Sequence, residues 1–327
     1  MTKTLPIVHS ILDANALGER IARQYPLKAP VHCELLTRGM NDVYLVRDGN
    51  GTEYACRVWR AGFRTEDDVA YETEFVNFLD ARGFAVPAAV PAGDGRLYAP
   101  VRGPEGQRYF ALFRWAPGKS YGDKPDVAGA RELGRWFGRF HRAVKDFRPR
   151  RQRHVDLAGG LRRIAAPLQK MTAHRPGDPA FYALACEALA RALEKVDEAS
   201  APTGATHGDF HLYNAFRRDD GSFIVLDFDN CGVDRFAQEL NSFIWANDYV
   251  GVDRGISEAF LAGYESERPM GAREKALMPL FYAAKELRFL GGFAANVNAV
   301  GHTPLLNPDL DWFAQRVRAN VKAAGVL

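Results

Sequence analysis

The break at Ala116-Pro117-Gly118 constrains the fold more than any other feature of the chain. Before it the sequence reads as short strands and tight turns, and after it as long amphipathic helices. In the first part a helix is expected over about Asp13 to Tyr25, stopped by Pro26. Strands follow at Val31–Thr37, Val43–Arg47 and Glu53–Arg60, the last two joined by Asp48-Gly49-Asn50-Gly51, whose Gly and Asn suit a tight hairpin. Thr65 ahead of Glu66, Asp67 and Asp68 marks a capped helix start running to Gly83, with Val69, Phe75, Phe78 and Leu79 as its apolar positions. Beyond the break, Leu133, Trp136, Phe137, Phe140 and Val144 recur at helical spacing and read as core. More helix is expected over 179–198, 236–247, 257–267, 272–291 and 309–324. Length alone, 327 residues against the roughly 250–300 that one core usually serves, suggests one large domain or two smaller ones, and the break sets the expected boundary between 1–115 and 116–327.

Composition narrows the partners. With 43 basic and 40 acidic residues and a formal charge of +3, the chain lacks the excess expected of a nucleic-acid binder. Its one basic cluster, Arg148, Arg150, Arg151 and Arg153, reads as a solvated loop after a helix. No apolar stretch reaches the roughly 18 residues of a membrane span, and no signal peptide is visible. Cys33, Cys56, Cys186 and Cys231 form no CxxC pair, which fits a reducing cytoplasm.

The helical part contains one β-like stretch, and it carries the chemistry. It reads His207-Gly208-Asp209-Phe210-His211-Leu212-Tyr213-Asn214, then a hairpin turn at Asp220-Gly221, then Leu226-Asp227-Phe228-Asp229. A two-residue loop at Asp220-Gly221 sets Asn214 opposite Asp227, with their side chains on one face. An amide oxygen and a carboxylate so placed can share a hard cation such as Mg2+, while Asp209 is placed to accept an alcohol proton. His207 and His211 as a zinc pair would need a helix, which Gly208-Asp209 opposes, and a third ligand.

This run resembles the Brenner motif and metal-binding Asp of the aminoglycoside phosphotransferase/choline kinase family, and the likeness extends from about Cys33 to Phe313. The resemblance implies an α+β, bilobal, protein-kinase-like fold. Its N-terminal nucleotide-binding lobe would be an antiparallel sheet with one flanking helix, and its larger, mostly helical C-terminal lobe would hold catalysis and acceptor binding. It also implies ATP and Mg2+ as cofactors, Asp209 as the catalytic base, Asn214 and Asp227 as the magnesium ligands, and His207 as a structural histidine. Asp229 is either a secondary metal-site carboxylate or structural.

The N-terminal part follows the pattern with one departure. Tyr54-Ala55-Cys56-Arg57 stands where such kinases carry the phosphate-binding Lys, so Arg57 takes that place, with Ala55 on the same strand face. Arginine keeps its charge and grips two oxygens but is bulkier than Lys. Its expected partner is Glu72, or Glu74 if the register slips. The turn containing Gly39 and Asn41 falls at the nucleotide loop, and Phe113, Arg114 and Trp115 fall at the adenine-reading hinge.

Glu239-Leu240 resembles the close of the family motif. The short segment before it leaves no room for a peptide-docking activation segment, which favours a small-molecule hydroxyl as acceptor. Candidate acceptor residues are Trp245, Asn247, Asp248, Tyr249, Lys285, Glu286 and Arg288. Their mixed charge suits an amino alcohol, a hydroxy amino acid or an aminoglycoside. The alternatives are a bacterial stress-response-type serine/threonine protein kinase and, with Arg57 as its main support, a nucleotide-binding pseudokinase.

Overall fold

A computed structural model describes residues 5–301 and 309–327. The chain divides into two compact units. One comprises the chain through Lys119 with Phe147–Arg153 and Ala215–Phe228, and the other comprises Ser120–Asp146, His154–Asn214 and Asp229–Leu327.

The first unit is built on five antiparallel strands, β1 (His32–Arg38), β2 (Asp42–Arg47), β3 (Glu53–Val58), β4 (Ala99–Gly103) and β5 (Gly106–Arg114), in the order β1-β2-β3-β5-β4. Helix α1 (Ala14–Gln24) begins at Asp13, whose side chain accepts from Ala16 N, and ends before Pro26. Its Leu17 and Ile21 join Tyr44, Val46, Cys56, Val58, Phe110 and Leu112 in one apolar cluster. Helix α2 (Glu66–Ala81) starts at the capping box of Thr65 and Asp68, and its buried face carries Val69, Tyr71, Glu72, Phe75, Val76 and Leu79. A carboxylate in that stripe requires a partner, because burying a lone charge is costly.

Both hairpins depart from the expected turn. Asp48 N donates to Thr52 O and Arg218 N to Ser222 O, so each loop holds three residues, 49–51 and 219–221, with Gly51 and Gly221 at positive φ. This is a type I turn closed by a left-handed glycine. Asp side chains favour it: Asp48 Oδ1 accepts from Asn50 N and Thr52 N, and Asp220 Oδ1 accepts from Ser222 N. The second hairpin joins β8 (Ala215–Arg217) and β9 (Phe223–Val225), with Ala215 opposite Val225. That register is one residue off the two-residue-loop pairing, so the reasoning that set Asn214 opposite Asp227 fails.

Between these parts of the chain lies the two-residue strand β6 (Lys119–Ser120). The basic cluster is a loop that is anchored as well as solvated. Arg150, Arg151 and Arg153 pair with Glu74, Asp67 and Asp68 of α2, and Phe147 packs on Tyr71, Phe75 and Phe78.

The second unit holds helices α3 (Val127–Ala143), α4 (Leu157–Met171), α5 (Asp178–Glu194), α6 (Phe236–Val250), α7 (Arg254–Glu267), α8 (Ala272–Ala276), α9 (Met278–Val300) and α10 (Leu310–Ala323). The expected single helix over 272–291 is two, since Leu277 separates α8 from an α9 that carries Pro279 in its first turn. Helix α4 escaped the sequence reading because Gly159, Gly160 and Pro167 dilute its pattern. A two-stranded ladder of β7 (Thr203–Thr206) and β10 (Gly232–Arg235) brackets the loop that follows β7. Helices α3 and α7 touch backbone to backbone: a Cβ on Gly134 would lie 2.0 Å from Phe260 O, and one on Gly263 2.0 Å from Arg131 O. The aromatic stripe of α3 is core, as its spacing predicts, with Leu133, Phe137 and Phe140 fully buried. No helix among the described residues is long and apolar enough to cross a membrane, and all four cysteines are free.

In the first unit Arg108, fully buried, donates to Asp42 Oδ2 (2.7 Å), Trp59 O and Ser10 O. Asp42→Ala leaves Arg108 the longer contact to Glu105 (3.4 Å) and should cost about 1–3 kcal/mol in denaturant unfolding. A loss under about 1 kcal/mol would show that the pair is not held dry.

Candidate functional site

In the first unit the departure from lysine is answered by geometry. Arg57 Nη1 donates to Glu72 Oε1 (2.6 Å) and Arg57 Nη2 to Asp227 Oδ1 (2.9 Å). One guanidinium fork thus serves two carboxylates, which a point-charge ammonium does less well. The guanidinium carbon also lies 6.0 Å from the Trp59 ring centre and 5.7 Å from that of Phe113, within cation–π range. Glu74, the fallback partner, turns to Arg150 instead.

Asp227 follows β9 with φ 62°, the one non-glycine residue at positive φ among the described residues. Left-handed backbone is uncommon outside glycine, and strain of this kind gathers at functional positions. Its carboxylate is about half exposed. The Gly39–Asn41 turn is pinned by Arg60, which donates to Gly39 O and Met40 O and, through its backbone N–H, to Asn41 Oδ1. Phe113 is buried and faces Ala55 across the β3–β5 ladder, while Trp115 is half-buried just past the strand.

In the second unit β7 delivers the chain into His207-Gly208-Asp209. Gly208 has φ 85°, and a Cβ there would sit 2.0 Å from Asn230 O, so only glycine fits. The loop hangs from Glu239 of α6, whose Oε1 accepts from Gly208 N (2.8 Å) and which also accepts from the His207 backbone. Glu239 Oε2 meets His141 Nε2 of α3 at 2.6 Å, and His141 Nδ1 meets Tyr264 Oη at 2.8 Å. Burial pushes the Glu239 carboxyl up to about 7, against the pull of His207 and the two backbone N–H groups, and pushes His141 well below the usual histidine range. Phe210 plugs the loop into the core, its ring 3.9 Å from that of Phe137 and stacked on Phe243.

Asp209 is therefore fixed on both sides. Its carboxylate Oδ1 accepts from Lys285 Nζ of α9 (2.7 Å). Burial opposes its ionisation, but Lys285 and, less strongly, His211 and His207 hold the carboxyl well below the usual carboxylate range. His207 is buried, with Nδ1 accepting from Asp209 N. Asn214 ends a short 3-10 turn and donates from Nδ2 to Asp209 O (3.0 Å), which leaves its Oδ1 as an acceptor. Asp229 is buried, 5% exposed.

The acceptor candidates divide by what they touch. Trp245 is 2% exposed, stacks on Tyr249 and has an indole Nε1 with no acceptor. Tyr249 lies in an aromatic cluster with Phe289, Trp312 and Phe313. Glu286 is fully buried and bound by Arg316 and Asn320 of α10, so it ties α9 to α10. Asp248 is exposed and accepts from Tyr282 Oη, Asn247 is tied to Ser257 Oγ, and Arg288 is half-buried near Asp234.

The residue that sequence reasoning under-used is Lys285, which was set among acceptor candidates and touches Asp209 itself. Its only signal was charge on a helix 76 positions away.

Among the described residues no three His, Cys, Asp or Glu side chains gather as a metal-binding group. Asn214 Oδ1 in the second unit and the Asp227 carboxylate in the first are each oxygen donors, the type that Mg2+ takes.

The model of a phosphotransferase enzyme family matches residues 33–277. An uncharacterized protein of Deinococcus radiodurans is 31% identical over 315 residues, covering 94% of this chain and 89% of its own. A homoserine kinase of Xanthobacter autotrophicus is 30% identical over 259 residues, 76% of this chain and 75% of its own. An amicoumacin kinase solved with AMP-PNP, Ca2+ and Ami has the same fold, with TM-score 0.76 at 18% identity, over 96% of this chain and 94% of that one. The expected α+β, kinase-like fold is thereby shown.

Two outcomes follow from the loop's anchors. Glu239→Ala leaves two loop N–H groups without an acceptor, at about 1–3 kcal/mol each, and should speed hydrogen exchange at His207 and Gly208; Glu239→Gln should restore protection. Lys285→Met removes a cation beside Asp209, which disfavours the anion and raises its pKa. The acid limb of the kcat/KM profile should then move up toward about pH 4, and an unmoved limb would mean that Lys285 does not set it.

Proposed function

The chain belongs to the phosphotransferase enzyme family, and on that premise we propose that it moves the γ-phosphate of ATP to the hydroxyl of a small molecule. The observation that carries this reading is the double engagement of Arg57 by Glu72 and Asp227. It supplies, with arginine in the lysine's place, a cation held ready for phosphate by a buried glutamate.

Asp209 is the base. The acceptor's O–H proton passes to its carboxylate as the acceptor oxygen bonds the γ-phosphorus, and the bond from that phosphorus to the β–γ bridging oxygen breaks to leave ADP. A carboxylate held ionised by Lys285 is a weak base, which fits a role in orienting the hydroxyl until the phosphorus–oxygen bond is well advanced. Asn214 and Asp227 are the residues that would hold magnesium, whose charge would offset that of the nucleotide phosphates. Arg57 exchanges its contact with Asp227 for a phosphate oxygen. The backbone of the Gly39–Asn41 turn, pinned by Arg60, covers the phosphates, and Phe113 and Trp115 border the adenine.

The test is ADP release with small hydroxylated acceptors and with a generic protein acceptor. Asp209→Ala should lose at least about 100-fold in transfer with nucleotide affinity unchanged, and a variant keeping more than about a tenth of the wild-type rate would remove Asp209 as base. Asp227→Ala should instead weaken nucleotide binding measured with magnesium. Turnover of the protein acceptor alone would favour a protein kinase, and tight ATP binding with no turnover at all a pseudokinase.

A further inference from the structure

The chemistry beside Asp209 in the second unit selects among acceptors. Lys285 Nζ lies 2.7 Å from the carboxylate that is to receive the hydroxyl proton. An ammonium has three N–H donors and no acceptor, so one donor meets Asp209 and two are left for whatever binds. Lys285 is only 13% exposed, and its Nζ sits 5.8 Å from the centre of the Trp245 ring. That indole is 2% exposed and its Nε1–H has no acceptor, although buried donors are nearly always satisfied. Two neighbouring groups, both largely withdrawn from water, thus offer hydrogen with nothing to receive it.

Resting on the phosphotransfer reading, we propose that Lys285 and Trp245 form an acceptor-recognition site for an oxyanion, and that the acceptor is a hydroxy acid bearing a carboxylate rather than a cationic amino alcohol or polyamine. A carboxylate presents oxygen lone pairs to both donors and complements the Lys285 charge. An ammonium brings more donors and a like charge to the same place. The other charged groups near Asp209 do not reverse this. His207 and His211 add no negative charge, and Glu239 spends its oxygens on the loop backbone and His141. A neighbouring amine on the acceptor is compatible with the proposal, provided the carboxylate takes the Lys285 end.

The experiment compares matched acceptors that differ only at that end: a series of ω-hydroxy acids and hydroxy amino acids, their primary amides, and the corresponding amino alcohols. Binding is followed by calorimetric titration and transfer by ADP release. The wild type should favour the acids over both other sets in affinity and in kcat/KM. Lys285→Met should lower kcat/KM for the acids by about 10–100-fold more than for the amino alcohols, and Lys285→Arg should restore most of the preference. Trp245→Phe, which keeps an aromatic six-membered ring but removes the N–H with the pyrrole ring that carries it, should reduce affinity for acids more than for amino alcohols. Equal or better use of the amino alcohols by the wild type would overturn the proposal. So would a Lys285→Met loss that is the same for all three sets, which marks a residue that merely holds Asp209. If no acceptor of any set binds or releases ADP, the phosphotransfer reading itself falls.

Discussion

The second unit depends on a buried carboxylate that accepts hydrogen bonds from the backbone. Glu239 takes the N–H of Gly208 and the backbone of His207 on one side and His141 on the other. Three elements distant in sequence, α3, α6 and the loop after β7, thereby share one dry contact. Such a group is costly to leave half-satisfied and rigid when complete, so the loop's backbone is defined before any substrate arrives. Phe210 adds the apolar half of the same fixing, inserting between Phe137 and Phe243. Asp209 stands between these two anchors with little freedom except in its side chain.

The first unit solves a different problem with the same logic. Glu72 sits in the buried stripe of α2, where a carboxylate would be costly alone, and Arg57 answers it from β3. The fork of the guanidinium then has a second pair of hydrogens for Asp227, so one arginine links a helix, a strand and the residue after β9. Replacement of the usual lysine is in this sense a gain of geometry.

Much of this was legible in the sequence where the physics is local. The capped start at Thr65, the strand register that puts Arg57 and Ala55 on one face, and the helical aromatic stripe from Leu133 to Val144 all follow from period and cap chemistry. Glu72 as partner was expected from the ion pair that the kinase resemblance implies, with Glu74 as fallback, and the phase of the helix, which buries Glu72, decides between the two. The turn at Asp220-Gly221 misled because the Asp220 side chain captures Ser222 N and enlarges the loop by one residue. The links His141 to Glu239 and Lys285 to Asp209 span 98 and 76 positions, and nothing in a local pattern encodes them. They arise only when helices pack.

The near-contact of α3 and α7 through Gly134 and Gly263 bears on how the chain tolerates change. Neither position takes any part in the chemistry proposed for Asp209, yet a single methyl group at either would meet a carbonyl oxygen at a distance no relaxation of a side chain can relieve. In a complete substitution survey read out by activity, these two sites should be as intolerant as the loop that carries Asp209. Intolerance alone would therefore misplace the active centre. Separating the two causes takes a measurement of folded protein alongside the rate, since the glycines should fail by abundance and Asp209 by turnover.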